Sequence, residues 1–205
     1  MQVTWRPVGR VLQRRGFTLI ELLVVVSVIA ILMALTGPSV LEMVQVQRLR
    51  GVHTQLNTDL LFARSEAIRL KTPVHVAVWA AGGGKPACYI IFSDSNPVRP
   101  FSASCDCREA AGSRCTAATT TEIKSVVLES WAGIDLKALQ DSRSAIDPYS
   151  GTIVVTADDL GNTQGSALEI ESSLDSSRVL RSVMDRGGVV RGCSPSGSKV
   201  KTVSC

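Results

Sequence analysis

Histidine is scarce in this 205-residue chain, with only two residues, His53 and His75, and aromatic residues make up only 4%. The cluster Cys105-Asp106-Cys107 with Cys115 could be read as three metal thiolates. No imidazole lies nearby, however, and the spacing fits no common zinc pattern. A nucleophile motif, a Walker loop and a metal-ligand constellation are all missing. Gly82-Gly83-Gly84 lacks the strand-loop-helix setting of a phosphate cradle and reads as a turn. Asp158-Asp159-Leu160-Gly161-Asn162 has oxygen ligands but not the spacing of a calcium loop, and reads as a polar turn. No metal and no cofactor is implied, and catalysis is not expected. His75 is expected to face solvent from a strand and His53 from a helix surface.

Acidic residues are absent before Glu21, whereas Arg6, Arg10, Arg14 and Arg15 all precede it. An apolar run follows over residues 17–35, about 19 residues, or about 28 Å as a helix, close to the roughly 30 Å hydrocarbon thickness of a bilayer. Basic residues and Gly16 come before the run, and Thr36-Gly37-Pro38 after it does not read as a signal-peptidase site, so the segment is expected to be retained as a single span. The positive-inside rule then places the N-terminus in the cytoplasm and the chain beyond about Pro38 outside. Glu21 lies within the run, where an ionised carboxylate costs several kcal/mol unless neutralised or paired, which makes it a functional candidate.

The string Arg15-Gly16-Phe17-Thr18-Leu19-Ile20-Glu21-Leu22-Leu23 resembles the class III leader of type IV pilins and type II secretion pseudopilins. The resemblance implies cutting by a prepilin peptidase between Gly16 and Phe17, methylation of the new N-terminus at Phe17, and a filament-assembly role for Glu21. In that family the carboxylate of one subunit meets the N-terminal ammonium of its neighbour, so two charges costly in lipid neutralise each other. It further implies insertion in the cell inner membrane with the C-terminal domain in the periplasm. The partners implied are other pilins or pseudopilins, the peptidase, an inner-membrane assembly platform and membrane lipid.

Cleavage after Gly16 removes four arginines, so the formal charge of +4 falls to a balance of 18 basic against 18 acidic residues. No global attraction to nucleic acid follows. The six cysteines, Cys88, Cys105, Cys107, Cys115, Cys193 and Cys205, all follow the span on its oxidising side, where disulfides are the default. Their connectivity is open; a bridge from Cys193 to Cys205 would close the C-terminal tail into a short loop.

Thr36-Gly37-Pro38 should bend or loosen the helix. Leu49, Val52, Leu56, Leu60, Ala63, Ala67 and Leu70 then recur at intervals of three and four, forming an apolar stripe with Arg48, Arg50, Gln55, Asp59 and Arg69 facing elsewhere. Lys71-Thr72-Pro73 ends the helix. From Val74 the period becomes two, with Val74, Val76 and Val78 on a buried face and His75 and Ala77 opposite, and residues 88–92 return as a hairpin partner. Residues 93–121 read as an irregular loop pinned by disulfides. Further strands are expected at 123–128, 151–156, 167–170, 178–184 and 188–191.

Leu61-Phe62-Ala63-Arg64-Ser65-Glu66-Ala67-Ile68-Arg69, running into Pro73-Val74, resembles the GspH/FimT branch of minor pilins and pseudopilins. Without that resemblance Arg64 and Glu66 would simply read as solvated. The last 28 residues hold Arg178, Arg181, Arg186, Arg191, Lys199 and Lys201 against Asp185 alone, a local +5. FimT-type pilins that take up DNA carry a C-terminal G-R-x-R motif, and Gly188-Val189-Val190-Arg191 falls where it would, with Val189 in place of the first arginine. Arg191 and Arg186 are therefore the candidate DNA contacts.

The expected architecture is α+β and type IV pilin-like: a leader at 1–16, a transmembrane helix at 17–37, an amphipathic helix at 38–72, and a β-rich domain at 73–205 with disulfide-pinned loops. A long N-terminal helix packs on an antiparallel sheet. The expected function is a minor subunit of a type II secretion pseudopilus or type IV pilus, with DNA uptake as the alternative.

Overall fold

The computed structural model describes residues 17–95, 105–129, 133–139, 144–155 and 167–205, with backbone alone at 35–39, 144, 154 and 155. The leader, with Arg6, Arg10, Arg14, Arg15 and Gly16, lies outside them, as does the polar segment 158–162. The chain separates into two compact units, Met1–Glu42 and Met43–Cys205.

Helix α1 runs Leu19–Leu70. It remains helical through Thr36-Gly37-Pro38, so that segment does not interrupt it. The large apolar side chains from Phe17 to Met33 are exposed. Among the described residues no helix is long and apolar enough to cross a membrane. Lys71, at φ 53°, ends α1 in the left-handed conformation common just past helix ends, with Pro73 two residues on.

In the second unit nine strands follow among the described residues: β1 (Val74–Trp79), β2 (Cys88–Asp94), β3 (Thr120–Val127), β4 (Asp135–Ala138), β5 (Ser144–Ile146), β6 (Ile153–Val155), β7 (Ala167–Asp175), β8 (Arg178–Asp185) and β9 (Val190–Cys193). They form two antiparallel sheets, one ordered β3-β2-β1-β5-β6 and the other β4-β7-β8-β9. The class is α+β with the helix on antiparallel sheets, but there are two sheets. The strands β4 and β5 went unrecognised because four and three residues carry too little alternation to register.

The apolar stripe of α1 is the centre of the core. Leu49, Leu56, Leu60, Ala63 and Ala67 are fully buried against Val74, Val76, Tyr89 and Ile91 of the first sheet and Leu136, Ile170, Leu180 and Met184 of the second. A second cluster covers the opposite face of the first sheet: Ala77, Cys88, Ile90 and Phe92 meet Cys105 and Cys107. β1 is therefore buried on both faces. This corrects the expectation for His75, which is only 1% exposed and stacks at 5.3 Å from the Phe92 ring. Period-two alternation cannot reveal that a cystine-held loop lies over the second face.

Cys88 is bonded to Cys107, Cys105 to Cys115, and Cys193 to Cys205. The first ties the 105–119 segment onto β2, and the second closes that segment on itself. The third closes the C-terminal tail, whose Val200 is buried in the main core and whose Lys199 N–H donates to the Ser177 carbonyl.

Candidate functional site

At the N-terminus, Thr18-Leu19-Ile20-Glu21 has the residue pattern of a helix capping box. The Thr18 hydroxyl oxygen accepts the Glu21 N–H at 3.2 Å, and the Thr18 carbonyl accepts that of Leu22 at 3.2 Å. Thr18 thus caps α1 and fixes Glu21 in its first turn, where the helix dipole favours a carboxylate. Phe17, immediately before the cap, is exposed. An N-terminus starting at Phe17 would therefore sit one residue before the cap and four before the carboxylate.

The C-terminal basic residues do not form the uniform patch that their sequence suggests. Arg178 pairs with Asp175 at 2.6 Å and also donates to the Gln45 side chain. Arg181 lies 3.5 Å from both Glu169 and Glu171, and Arg191 lies 3.7 Å from Asp185. β7, antiparallel to β8, supplies the carboxylates Glu169, Glu171 and Asp175, which a count confined to the last 28 residues omits. The Arg178 side chain, aided by the Ser177 backbone and hydroxyl, holds the Asp175 carboxyl well below the usual range. Arg186, Lys199 and Lys201 form no ion pair among the described residues. The candidate contacts Arg186 and Arg191 lie on one hairpin, with Arg191 mostly solvent-exposed.

Two glycines beside Arg191 bring that hairpin against α1. A Cβ at Gly192 would collide with the His53 Nε2, and one at Gly188, where φ is +75°, would collide with the Gly151 carbonyl and meet the Arg64 guanidinium at 3.0 Å. His53 is buried, contrary to expectation. Its Nδ1 lies 3.1 Å from the Ser182 hydroxyl of β8 and its Nε2 3.2 Å from the Asn57 amide. Burial lowers its pKa. Arg64 is half-buried and donates to the Gly188 carbonyl at 3.1 Å, and Glu66 is held by a bidentate contact to Arg69. The helix-end motif is thus largely a fastening. Its signal was present as Arg64 and two glycines, but their meeting is long-range.

Asp59 is a third correction. It lies within the core, 4% exposed, where the Tyr89 hydroxyl donates to Oδ2 at 2.6 Å and the Lys124 ammonium to Oδ1 at 2.7 Å. A buried carboxylate requires such partners. Burial, reinforced by Asp59, pushes the Tyr89 phenol upward. Asp59 belongs to the helical heptad only one position before Leu60, so a period argument places it at the edge of the stripe and cannot see its partners.

One group of possible metal ligands, Cys88, Asp106 and Cys107, is accounted for otherwise. The two sulfurs form a disulfide, and Asp106 is bound by Arg108 at 2.8 Å, which holds its carboxyl low.

Residues 12–37 match the prokaryotic N-terminal methylation motif. The match takes in the arginine-glycine junction, Glu21 and the apolar run. It supports a type IV pilin-like or pseudopilin subunit, in a family that is structural rather than catalytic. Such a leader implies processing by a prepilin peptidase, membrane anchoring and assembly with other pilins. No curated protein and no solved structure matches the chain.

Proposed function

We propose that the chain is a minor subunit of the GspH/FimT type, acting in a type II secretion pseudopilus or type IV pilus by priming or capping the filament. Cleavage between Gly16 and Phe17 and methylation of Phe17 yield a mature chain whose segment 17–37 lies in the inner membrane, with the domain in the periplasm. Glu21 then receives the N-terminal ammonium of a neighbouring subunit. The observation that carries this reading is the methylation motif over residues 12–37, with Glu21 held in the capped first turn and exposed apolar side chains immediately after it.

N-terminal sequencing of the membrane-extracted protein tests the processing step. A chain beginning at N-methylated Phe17 is expected; one still beginning at Met1 beside an active prepilin peptidase overturns the reading. Glu21→Ala should remain in the membrane while losing copurification with the filament, because a costly charge and its partner are removed together. Equal copurification removes the pairing role.

DNA uptake is the second reading, favoured by Arg186, Lys199 and Lys201, which form no ion pair among the described residues. It is the weaker one, since Arg178, Arg181 and Arg191 face carboxylates and Val189 replaces an arginine of the uptake motif. Titration of the detergent-extracted chain with unrelated duplexes at several salt concentrations separates the two. The receptor reading requires a salt slope that falls by about two when Arg186 and Arg191 both become alanine, and the filament reading requires none.

A further inference from the structure

The first two disulfides interleave along the chain. Cys88 reaches past Cys105 to bond Cys107, and Cys105 reaches past Cys107 to bond Cys115. Cys193 and Cys205, by contrast, are successive cysteines. Only Asp106 separates Cys105 from Cys107, the two residues that must choose different partners. Four cysteines can pair in three ways. The consecutive set, Cys88 with Cys105 and Cys107 with Cys115, closes each loop two residues more tightly than the native separations of 19 and 10. Closure entropy grows only with the logarithm of loop length, so a chain that has not folded closes either set about equally often.

The native choice is made by the folded loop. Cys105 and Cys115 stand opposite each other as an antiparallel bridge, and the Asp106 N–H donates to the Arg114 carbonyl at 2.7 Å. The Arg108 N–H donates to Asp106 Oδ1 at 2.8 Å, closing the turn that holds Cys107. Cys107 then meets Cys88 on β2, within the cluster formed by Ala77, Ile90 and Phe92. A bond from Cys107 to Cys115 would take the sulfur that faces Cys105 and break this arrangement. Cys88, Cys105 and Cys107 are each 3% exposed or less once the loop is seated. Thiol–disulfide exchange depends on access to sulfur. An outside thiolate therefore attacks the consecutive bridges, which leave the loop unseated, and is shut out of the native ones.

We infer that this domain matures through thiol–disulfide isomerisation, and that its partner in that step is a dithiol isomerase acting on Cys88, Cys105, Cys107 and Cys115. The Cys193–Cys205 bridge needs only an oxidant. Six thiols become three bridges by passing six electrons and six protons to a disulfide-bearing oxidant, and the rearrangement that follows is redox-neutral. The isomerase thiolate attacks the Cys105 sulfur of a Cys88–Cys105 bridge, forming a mixed disulfide and releasing the Cys88 thiolate. Cys88 then attacks the Cys107 sulfur of the Cys107–Cys115 bridge and releases the Cys115 thiolate. Cys115 attacks the Cys105 sulfur of the mixed disulfide, which returns the isomerase thiolate. The filament reading supplies only the oxidising compartment; the pairing problem lies in the chain itself.

The test reoxidises the detergent-extracted full chain, reduced and unfolded beforehand, with glutathione disulfide alone or together with a reduced protein dithiol isomerase. Samples are quenched with acid, alkylated, and their bridges mapped by peptide mass spectrometry. With the oxidant alone, the Cys88–Cys105 and Cys107–Cys115 bridges should form in amounts comparable to the native pair. The isomerase should raise the native pair about twofold, while Cys193–Cys205 forms equally in both samples. Cys88→Ala combined with Cys107→Ala removes the interleaving, so Cys105–Cys115 should then form with no gain from the isomerase; the map reads this bond whether or not the variant folds. Native pairs that form fully with the oxidant alone overturn the inference, as does an equal gain in the double variant. A folded chain whose map shows Cys88–Cys105 overturns it as well. None of these results touches the filament reading, which processing at Phe17 decides separately.

Discussion

The two halves of α1 differ in how their apolar side chains are covered. From residue 43 onward the stripe Leu49, Leu56, Leu60, Ala63 and Ala67 is sealed by the chain's own two sheets. From Phe17 to Met33, thirteen large apolar side chains are exposed. Each buried leucine contributes roughly 1.5–3 kcal/mol to holding the second unit together. The exposed stretch far exceeds the apolar patch of roughly a few hundred Å² that soluble surfaces tolerate. The capped carboxylate Glu21 lies within that stretch, and the buried carboxylate Asp59 lies within the other. Asp59 has its cationic and phenolic partners in the same chain, at 2.7 and 2.6 Å. Among the described residues Glu21 has only its own helix turn, and the proposal is that its counter-charge belongs to a neighbour.

The largest expected effect breaks that comparison at its covered end. Leu60→Ala removes a fully buried side chain between α1 and both sheets, and should destabilise the domain by about 2–5 kcal/mol. Leu23→Ala should leave the domain's melting temperature where it was, because its side chain is exposed. Thermal unfolding of the detergent-extracted chain followed by circular dichroism measures both. A comparable loss from Leu23→Ala would show that the two halves are not independently covered.

A second, smaller effect sharpens the contrast between the two faces of the first sheet. One face is sealed by α1, the other by the segment that the Cys88–Cys107 and Cys105–Cys115 bridges hold in place. Replacing Cys88 and Cys107 together by alanine should cost about 2–4 kcal/mol. It should also speed amide exchange in β1 and β2 more than in β7 and β8. Uniform acceleration across both sheets would mean that the bridge supports the whole unit and not one face of it.

These comparisons also mark what was legible. The leader, the apolar run and the helical stripe are local patterns, and the hairpin of β1 and β2 follows from a change of period and a glycine-rich turn. β3, β7 and β8 were placed within a few residues of where they start, for the same reason. What was illegible depends on distant segments meeting. His75 reads as solvent-facing until a loop covers it, Asp59 until Tyr89 and Lys124 reach it, and the basic tail reads as unneutralised until β7 brings Glu169, Glu171 and Asp175 alongside. Arg64 belongs to this second group: its motif could be read, but its pocket between Gly151 and Gly188 could not.

The smallest effect concerns the histidine that joins the covered half of α1 to the C-terminal hairpin. His53 is held between Ser182 and Asn57 with Gly192 against its ring, and burial lowers its pKa from the ordinary 6.5. The unfolded chain therefore takes up the proton first as the medium is acidified. Stability from this group is fully present above about pH 6.5 and is lost as pH falls through its lower folded value. Asp106, Asp147 and Asp175, all held below 3.8, lose their own contributions as pH falls below about that value. His53→Gln, which keeps a polar side chain at this position, should flatten the melting temperature between pH 8 and pH 5, where the unmodified chain declines. An equal decline in both would place the titrating group elsewhere. The contact of β9 with α1 would then depend on the close approach at Gly192 alone, without the charge state of the histidine beneath it.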